Sequence, residues 1–447
     1  MEHVKRRELD DIINKCLNHL KDSQRKKEDY FGWHQHLGTN KLGIVATSMA
    51  LLSYDMMDNI TNCPNHLNCL EYINTKKNKD NGWSYISNSG GTSNVEATCW
   101  AIQALLTDKN QTYKEEISKA VHWVLSQHST NKITDSDAGW AYIKDAEQKV
   151  YVTCLAIKTL SLAKKIVDEN IQNQIDLKIT SAISWLKSIR KDCSGWGENE
   201  KSDANLFYTS YVIPVLIEYG NVKKDDEIII NAIAFIQSQL ASYNYSSSKY
   251  DCLIEFIEYN DPNGNNRIRV TFFHDVLQYA LIALINSGKE NDTVYWGIKY
   301  LCSKFCNGEI EHPLMEKSKI YPIWPIYDTL LVFHSYVSSL KKTNWNNVKI
   351  IYPCSITRKT HISTKYWPHS YLLMIPDFYY YLAASIIIFY ILIKFNVLNT
   401  LFTLSLVFLN KSDNTNFSSV LCNIVASVLI MLISFAIKQS LKRIAKD

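Results

Sequence analysis

Residues 80–106 read DNGWSYISNSGGTSNVEATCWAIQALL. A Gly-Trp turn comes first, then a polar bend with two glycines, then a helical segment whose apolar residues fall on almost every face. A surface helix keeps a polar face toward water, so a helix of this kind has to be covered all round. The fold must therefore supply neighbours on every side of it.

The stretch has relatives within the chain. Gly-Trp recurs at Trp33, Trp83, Trp140 and Trp196, roughly every 50 to 57 residues, which marks an internal repeat with variable loops. An amphipathic segment precedes each one: DIINKCLNHL, HLNCLEYI, AVHWVLSQ and AISWLKSI. A more apolar segment follows: GIVATSMALLSY, NVEATCWAIQALL, YVTCLAIKTLSLA and LFYTSYVIPVLIEYG. Two further pairs lack the turn, IIINAIAFIQSQL with FFHDVLQYALIALI and TVYWGIKYLCSKF with IYDTLLVFHSYV. Six helical hairpins are thus predicted over residues 8–340, and the expected class is all-α. Alternation of a one-sided with an all-round apolar helix describes two concentric rings, an (α/α)6 toroid; an open solenoid of helix pairs uses the same alternation. In the ring, glycine gives the turn a positive φ or a close backbone approach, and the four tryptophans wedge between adjacent hairpins.

Composition narrows the function classes. The chain has 447 residues, 46% of them hydrophobic, and a net charge of only +4. No basic run on the scale of a nucleic-acid face is present, so no nucleic-acid partner is expected. Eleven cysteines are scattered along the chain, and the opening MEHVKRRELDDIINKC lacks the apolar core of a signal peptide. Reduced thiols in a cytosolic compartment are the expectation. Cys302 with Cys306, and Cys63 with His66 and Cys69, lie close in sequence. Without a second ligand pair at matching spacing they read as small buried apolar residues.

The repeats AVHWVLSQ…DAGWAY and AISWLKSI…SGWGE resemble the Gln-Trp repeats of squalene and hopene cyclases. The resemblance implies the α/α-toroid of terpenoid cyclases and protein prenyltransferases over residues 8–340. Gln127 and Trp140 match the motif, Arg190 stands where glutamine is usual, and the last two repeats lack the turn. Class II cyclases of this superfamily use an Asp-x-Asp-Asp acid. The nearest string here, Asp135-Ser136-Asp137-Ala138, lacks the final Asp and sits on a turn where exposed acids are ordinary. Prenyltransferases hold zinc through Asp, Cys and His. Here His274 falls two residues early, and Asp192 and Cys193 are adjacent rather than separated. Asp135, Asp137 and His274 are the weak catalytic candidates that the resemblance implies, and no metal or cofactor is expected.

Aligned on their apolar register, the inner segments give one column: Val45, Glu96, Tyr151, Phe207, Asp275 and Asp328. In a toroid one column lies at one level. Glu96, Tyr151, Phe207, Asp275 and Asp328 are therefore the candidate ligand-binding residues at one mouth of the ring, for a cation or polar head group with an apolar body below. The competing reading is that acids in a first helical turn complement the dipole.

Beyond residue 340 the solvent changes. A polar linker is expected over 341–372, a transmembrane region over 373–437 and a basic cytoplasmic tail over 438–447. Residues 378–393 and 397–409 are apolar, and 417–437 is an uncharged run of about 21 residues, enough to cross a bilayer. Arg358, Lys359 and Lys365 precede the apolar runs, and Lys438, Lys442, Arg443 and Lys446 follow them. The loop between carries Lys411, so both ends are expected in the cytoplasm, joined by a two-span hairpin. The function expected is a membrane-anchored toroid that binds an apolar or amphiphilic small molecule or a protein partner as a sensor or effector. An isoprenoid-handling enzyme is the alternative.

Overall fold

The computed structural model describes residues 6–34, 41–85, 91–128, 139–241, 252–260, 267–289, 292–305 and 322–342. Six helices form an inner ring: α2 (Ile44–Met56), α4 (Val95–Leu105), α6 (Val150–Ala163), α8 (Leu206–Glu218), α10 (Val276–Asn286) and α12 (Trp324–Lys342). Six alternate with them outside: α1 (Arg6–Ser23), α3 (His66–Thr75), α5 (Lys114–Ser126), α7 (Glu169–Ser188), α9 (Glu227–Ala241) and α11 (Asp292–Lys304).

The inner helices pack in succession, α2 on α4, α4 on α6, α6 on α8, α8 on α10 and α10 on α12, and α12 packs back on α2. The ring is closed, and the open solenoid is excluded. At the seam α1 packs on α2, α11 and α12, and Lys299 Nζ of α11 meets Glu8 Oε2 of α1 at 2.8 Å. Burial follows the two-ring logic. Every residue of α4 is buried, whereas α5 buries Ile117, Ala120, Val121, Val124 and Leu125, one stripe at helical spacing.

The Gly-Trp turns explain how each hairpin is held. All four tryptophans are fully buried. Each indole N–H donates to a carbonyl of the preceding outer helix: Trp33 to Leu20 at 2.8 Å, Trp83 to Ile73 at 2.7 Å, Trp140 to Val124 at 2.9 Å and Trp196 to Leu186 at 2.6 Å. Each backbone N–H donates to a threonine hydroxyl at the fourth position of the following inner helix: Thr47 at 3.1 Å, and Thr98, Thr153 and Thr209 at 2.9 Å. Each tryptophan carbonyl accepts from the residue that opens that helix, Gly43, Asn94, Lys149 or Asn205, at 2.8–3.0 Å. These bonds stay inside one hairpin. Through them the tryptophan joins its own outer and inner helices, and at three of the turns the glycine before it faces the next hairpin.

A Cβ on Gly139 would lie 2.4 Å from Thr153 Oγ1 and 2.9 Å from the Trp185 ring of α7. Gly82 likewise faces Trp123, and Gly195 faces Phe235. The glycine is needed for close approach rather than for a positive φ. The left-handed backbone falls just before it in two turns, at Asn81 (φ 71) and Ser194 (φ 67).

The all-α expectation needs one correction. Two antiparallel hairpins interrupt the helices, β1 (Arg25–Lys27) with β2 (Tyr30–Gly32), and β3 (Cys252–Asn260) with β4 (Arg267–Asp275). The second replaces the missing turn of the fifth repeat, in register Cys252 to Asp275 and Glu255 to Phe272. Phe272 and His274 thus belong to a strand, and α10 begins only at Val276. The β-branched and aromatic residues of RIRVTFF suit a pleat better than a helix.

Cys63 and Cys69 are buried, and burial pushes the Cys63 thiol up to about 12. His66 Nε2 lies 3.3 Å from Thr107 Oγ1. Among the described residues no helix is long and apolar enough to cross a membrane. The expected spans, the basic tail and all but the first two residues of the linker lie outside the described residues.

Trp140→Ala is expected to cost about 3–5 kcal/mol of unfolding free energy through lost packing and the indole hydrogen bond. Gly139→Ala, which adds one methyl against Thr153 and Trp185, should cost about 1–3 kcal/mol. Denaturant unfolding measures both, and a glycine variant within about 0.5 kcal/mol of wild type would show that the close approach relaxes freely.

Candidate functional site

Inside the ring, the residues at the starts of the inner helices form one polar and aromatic layer. Glu96, Tyr151 and Phe207 each occupy the second position of their helices, α4, α6 and α8. Glu96 does not cap its helix, because the Asn94 side chain already accepts from Ala97 N at 2.8 Å. Its two oxygens instead accept from tyrosine hydroxyls, Oε2 from Tyr85 at 2.6 Å and Oε1 from Tyr151 at 2.9 Å. Burial pushes the Glu96 carboxyl above its usual range, partly offset by these hydroxyls and by His274.

The β3–β4 hairpin adds two residues that the helical repeat does not contain. His274 and Glu255 sit diagonally on one face of the ladder, and His274 Nε2 lies 3.0 Å from Glu255 Oε2. The Tyr208 hydroxyl donates to the same oxygen at 3.0 Å. The imidazole stacks on Phe207, with centroids 4.3 Å apart and planes 19° apart, and lies 4.8 Å from the Tyr151 ring. Burial raises the Glu255 carboxyl, but the bonds from His274 and Tyr208 outweigh it, and the net direction is below the usual range.

The remaining sector comes from α10 and α12. Tyr279 donates to Asp328 Oδ1 at 2.7 Å. The Asp275 side chain lies beside Asp328 and acts on its carboxyl. Burial, the largest influence, lifts Asp328 from 3.8 to about 7. Tyr211 links the sectors, 5.0 Å from Tyr151, 5.7 Å from Phe207 and 4.8 Å from Tyr279 by ring centroids. Trp100 meets Tyr327 edge-on at 5.3 Å, from α4 to α12.

The aligned column is therefore partly assembled. Glu96 bonds Tyr151, whose ring lies 6.1 Å from Phe207. Asp275 and Asp328 meet each other although neither holds the second helical position: Asp275 precedes α10 and Asp328 is the fifth residue of α12. The layer is enclosed rather than open at a mouth, with Glu96, Asp275 and Asp328 exposed by 4%, 0% and 3%. His274 is corrected from a helix start to the penultimate residue of β4. Asp135 and Asp137 lie outside the described residues. Asp192 and Cys193 are exposed, and no group of three or more metal-ligating side chains occurs among the described residues.

Tyr85, Trp100, Tyr208, Tyr211, Glu255 and Tyr279 were not anticipated. Trp100, Tyr211 and Tyr279 stand four residues after Glu96, Phe207 and Asp275, the same-face spacing that would have found them. Glu255 had no such signal in a helical repeat.

No family model matches the chain. Among solved structures it is similar to Rex8A from Paenibacillus barcinonensis complexed with xylose, at 11% identity over 75% of this chain and 93% of that one, TM-score 0.47. It is also similar to the type II terpene cyclase MstE from Scytonema, at 14% identity over 75% of this chain and 99% of that one, TM-score 0.45.

The raised Asp328 carboxyl has a consequence for stability. The folded ring keeps a proton that the unfolded chain releases near 3.8, so the stability it supplies is whole below that pH and is lost as pH rises toward about 7. Asp328→Asn, which still accepts from Tyr279, is expected to be more stable than wild type at about pH 8, by on the order of 1–3 kcal/mol. The gap should close toward about pH 4. Thermal unfolding across that range is the measurement; a constant gap would show that Asp328 titrates as an ordinary surface acid.

Proposed function

We propose that the ring is a binding module that holds an apolar or amphiphilic small molecule in its interior. The observation that carries this reading is the enclosed layer in which Tyr151, Phe207, Tyr211 and Tyr279 lie 4.8–6.1 Å apart beside the carboxyls of Glu96 and Asp328. Aromatic walls hold an apolar body, and a few convergent polar groups fix its head. Binding is favoured over catalysis because both Glu96 oxygens are held by tyrosines and the Glu255 oxygen facing His274 is shared with Tyr208. A second reading rests on the raised Asp328 carboxyl beside Asp275: a carboxyl that keeps its proton toward neutrality beside aromatic rings suits an acid acting on an isoprenoid.

The apolar runs 378–393, 397–409 and 417–437 support a membrane anchor, with the ring and the C-terminus on the cytoplasmic side. A ligand dissolved in the bilayer then reaches the ring over a short path, and occupancy is passed on as a sensor or effector signal to the membrane segment or a protein partner.

Full-length protein purified from membranes is expected to carry a stoichiometric apolar molecule in native mass spectrometry, depleted about tenfold in Tyr211→Ala, as loss of a central aromatic anchor implies. A chemically unchanged molecule supports binding, and a converted product supports the enzyme. Wild-type protein that carries nothing, and takes up nothing from a total lipid extract, refutes both. The anchor is checked separately: the chain should stay in the pellet after alkaline carbonate extraction, and release to the supernatant would exclude spanning segments.

A further inference from the structure

Four carboxyls gather in the layer inside the ring. Glu96, Glu255, Asp275 and Asp328 are all buried, at 4%, 3%, 0% and 3% exposure, beside one buried imidazole, His274. The partners that hold these carboxyls are the hydroxyls of Tyr85, Tyr151, Tyr208 and Tyr279, the Gln278 amide and His274. Lys149, whose charge also acts on Glu255, is itself paired with Glu198.

Glu255 departs from the others in one respect. Its Oε2 is gripped by His274 and Tyr208, and these bonds hold the group on the ionised side of its usual range. Its Oε1 is buried with no hydrogen-bond partner among the described residues, and the side chain is 1% exposed. An ionised carboxylate oxygen left without a donor in the interior is costly, more so than a neutral group in the same place. His274, held by the same carboxylate, lies flat on Phe207 and near Tyr151, so the bare oxygen belongs to the aromatic layer and not to the outer surface of the hairpin.

The surroundings select what would fill that vacancy in hydrogen bonding. Ring faces attract cations, strongly so when both are desolvated. A hydrated metal ion wants several oxygen ligands, and no group of three or more ligating side chains occurs among the described residues. An organic cation satisfies each condition: an N–H for Oε1, a positive charge for the Glu255 carboxylate, and carbon for the rings of Tyr151, Phe207, Tyr211 and Tyr279.

We propose that the ring interior recognises a protonated amine on an apolar body, its N–H donated to Glu255 Oε1 and its cation held against the Tyr151, Phe207, Tyr211 and Tyr279 wall. This rests on the reading that the ring takes a small molecule, and it names the chemical class of the head. It also gives the β3–β4 hairpin a purpose, because Glu255 enters the ring only through that insertion.

The test uses full-length protein and two probes of one shape, benzylamine and benzyl alcohol, titrated calorimetrically at about pH 7.5, where the amine is protonated. Benzylamine is expected to bind about tenfold or more tightly than the alcohol, and the ratio should fall below about threefold in Glu255→Gln, with helix content checked by circular dichroism. Should that variant fail to fold, the wild-type ratio still decides. Equal affinity for the two probes, or preference for the alcohol, overturns the amine assignment and leaves the ring as a neutral binding site. A tenfold preference that persists in folded Glu255→Gln also overturns it, since the charge is then read elsewhere. Binding of neither probe, together with an empty protein in native mass spectrometry, overturns the assignment and the reading beneath it.

Discussion

The ring depends on one clip, a tryptophan whose indole N–H, backbone N–H and carbonyl are all spent on tying an outer helix to the inner helix that follows it. Each such bond contributes only about 1 kcal/mol net. Their value lies in geometry. With the indole fixed to the end of one helix and the amide fixed to a threonine one turn into the next, the crossing of the pair leaves little freedom. At Gly82, Gly139 and Gly195 the glycine before the tryptophan then lets the following hairpin approach to contact. Four clips in succession build most of the ring that α12 closes on α2.

The last two hairpins depart from this rule, and the chemistry gathers there. The threonine position, fourth in its helix, is taken by Tyr279 in α10 and Tyr327 in α12. One hydroxyl reaches Asp328 and the other ring packs on Trp100. Where the fifth turn is missing, the β3–β4 hairpin delivers Glu255 and His274 into the layer. Regular repeats supply the wall of the ring with Glu96 and its tyrosines, and the broken repeats add Glu255, His274, Asp275 and Asp328.

This division also explains what was legible in the amino-acid string. The helical pairs and their count were readable because burial on one face or on all faces leaves different periodicities, and tryptophan is conspicuous. A threonine stood 13 to 15 residues after the tryptophan of every Gly-Trp, but a spacing has meaning only once the hydroxyl is seen under the amide. Glu96, Tyr151 and Phe207 were found by register because their helices share one starting point. Asp275 and Asp328 fell out of register by different amounts and still met in space, since α10 starts late, after a strand, and α12 starts early. Glu255 stayed hidden: once the fifth pair is read as two helices, CLIEFIEY is merely their connection.

A closed ring joins its ends last. Glu8 and Lys299 are 291 residues apart, and α1 and α2 find their neighbours in α11 and α12 only after nearly the whole ring has been made. During synthesis the first hairpin therefore waits with an apolar flank bare while some 250 further residues leave the ribosome, tens of seconds at ordinary elongation rates. Such a nascent chain is a natural client for a holdase chaperone. Contacts this distant in sequence also slow the final step, because the loop entropy is lost before the seam repays it. The ring is then expected to open first at that same seam under mechanical or thermal stress, its terminal hairpins parting while the three clipped ones in between stay together.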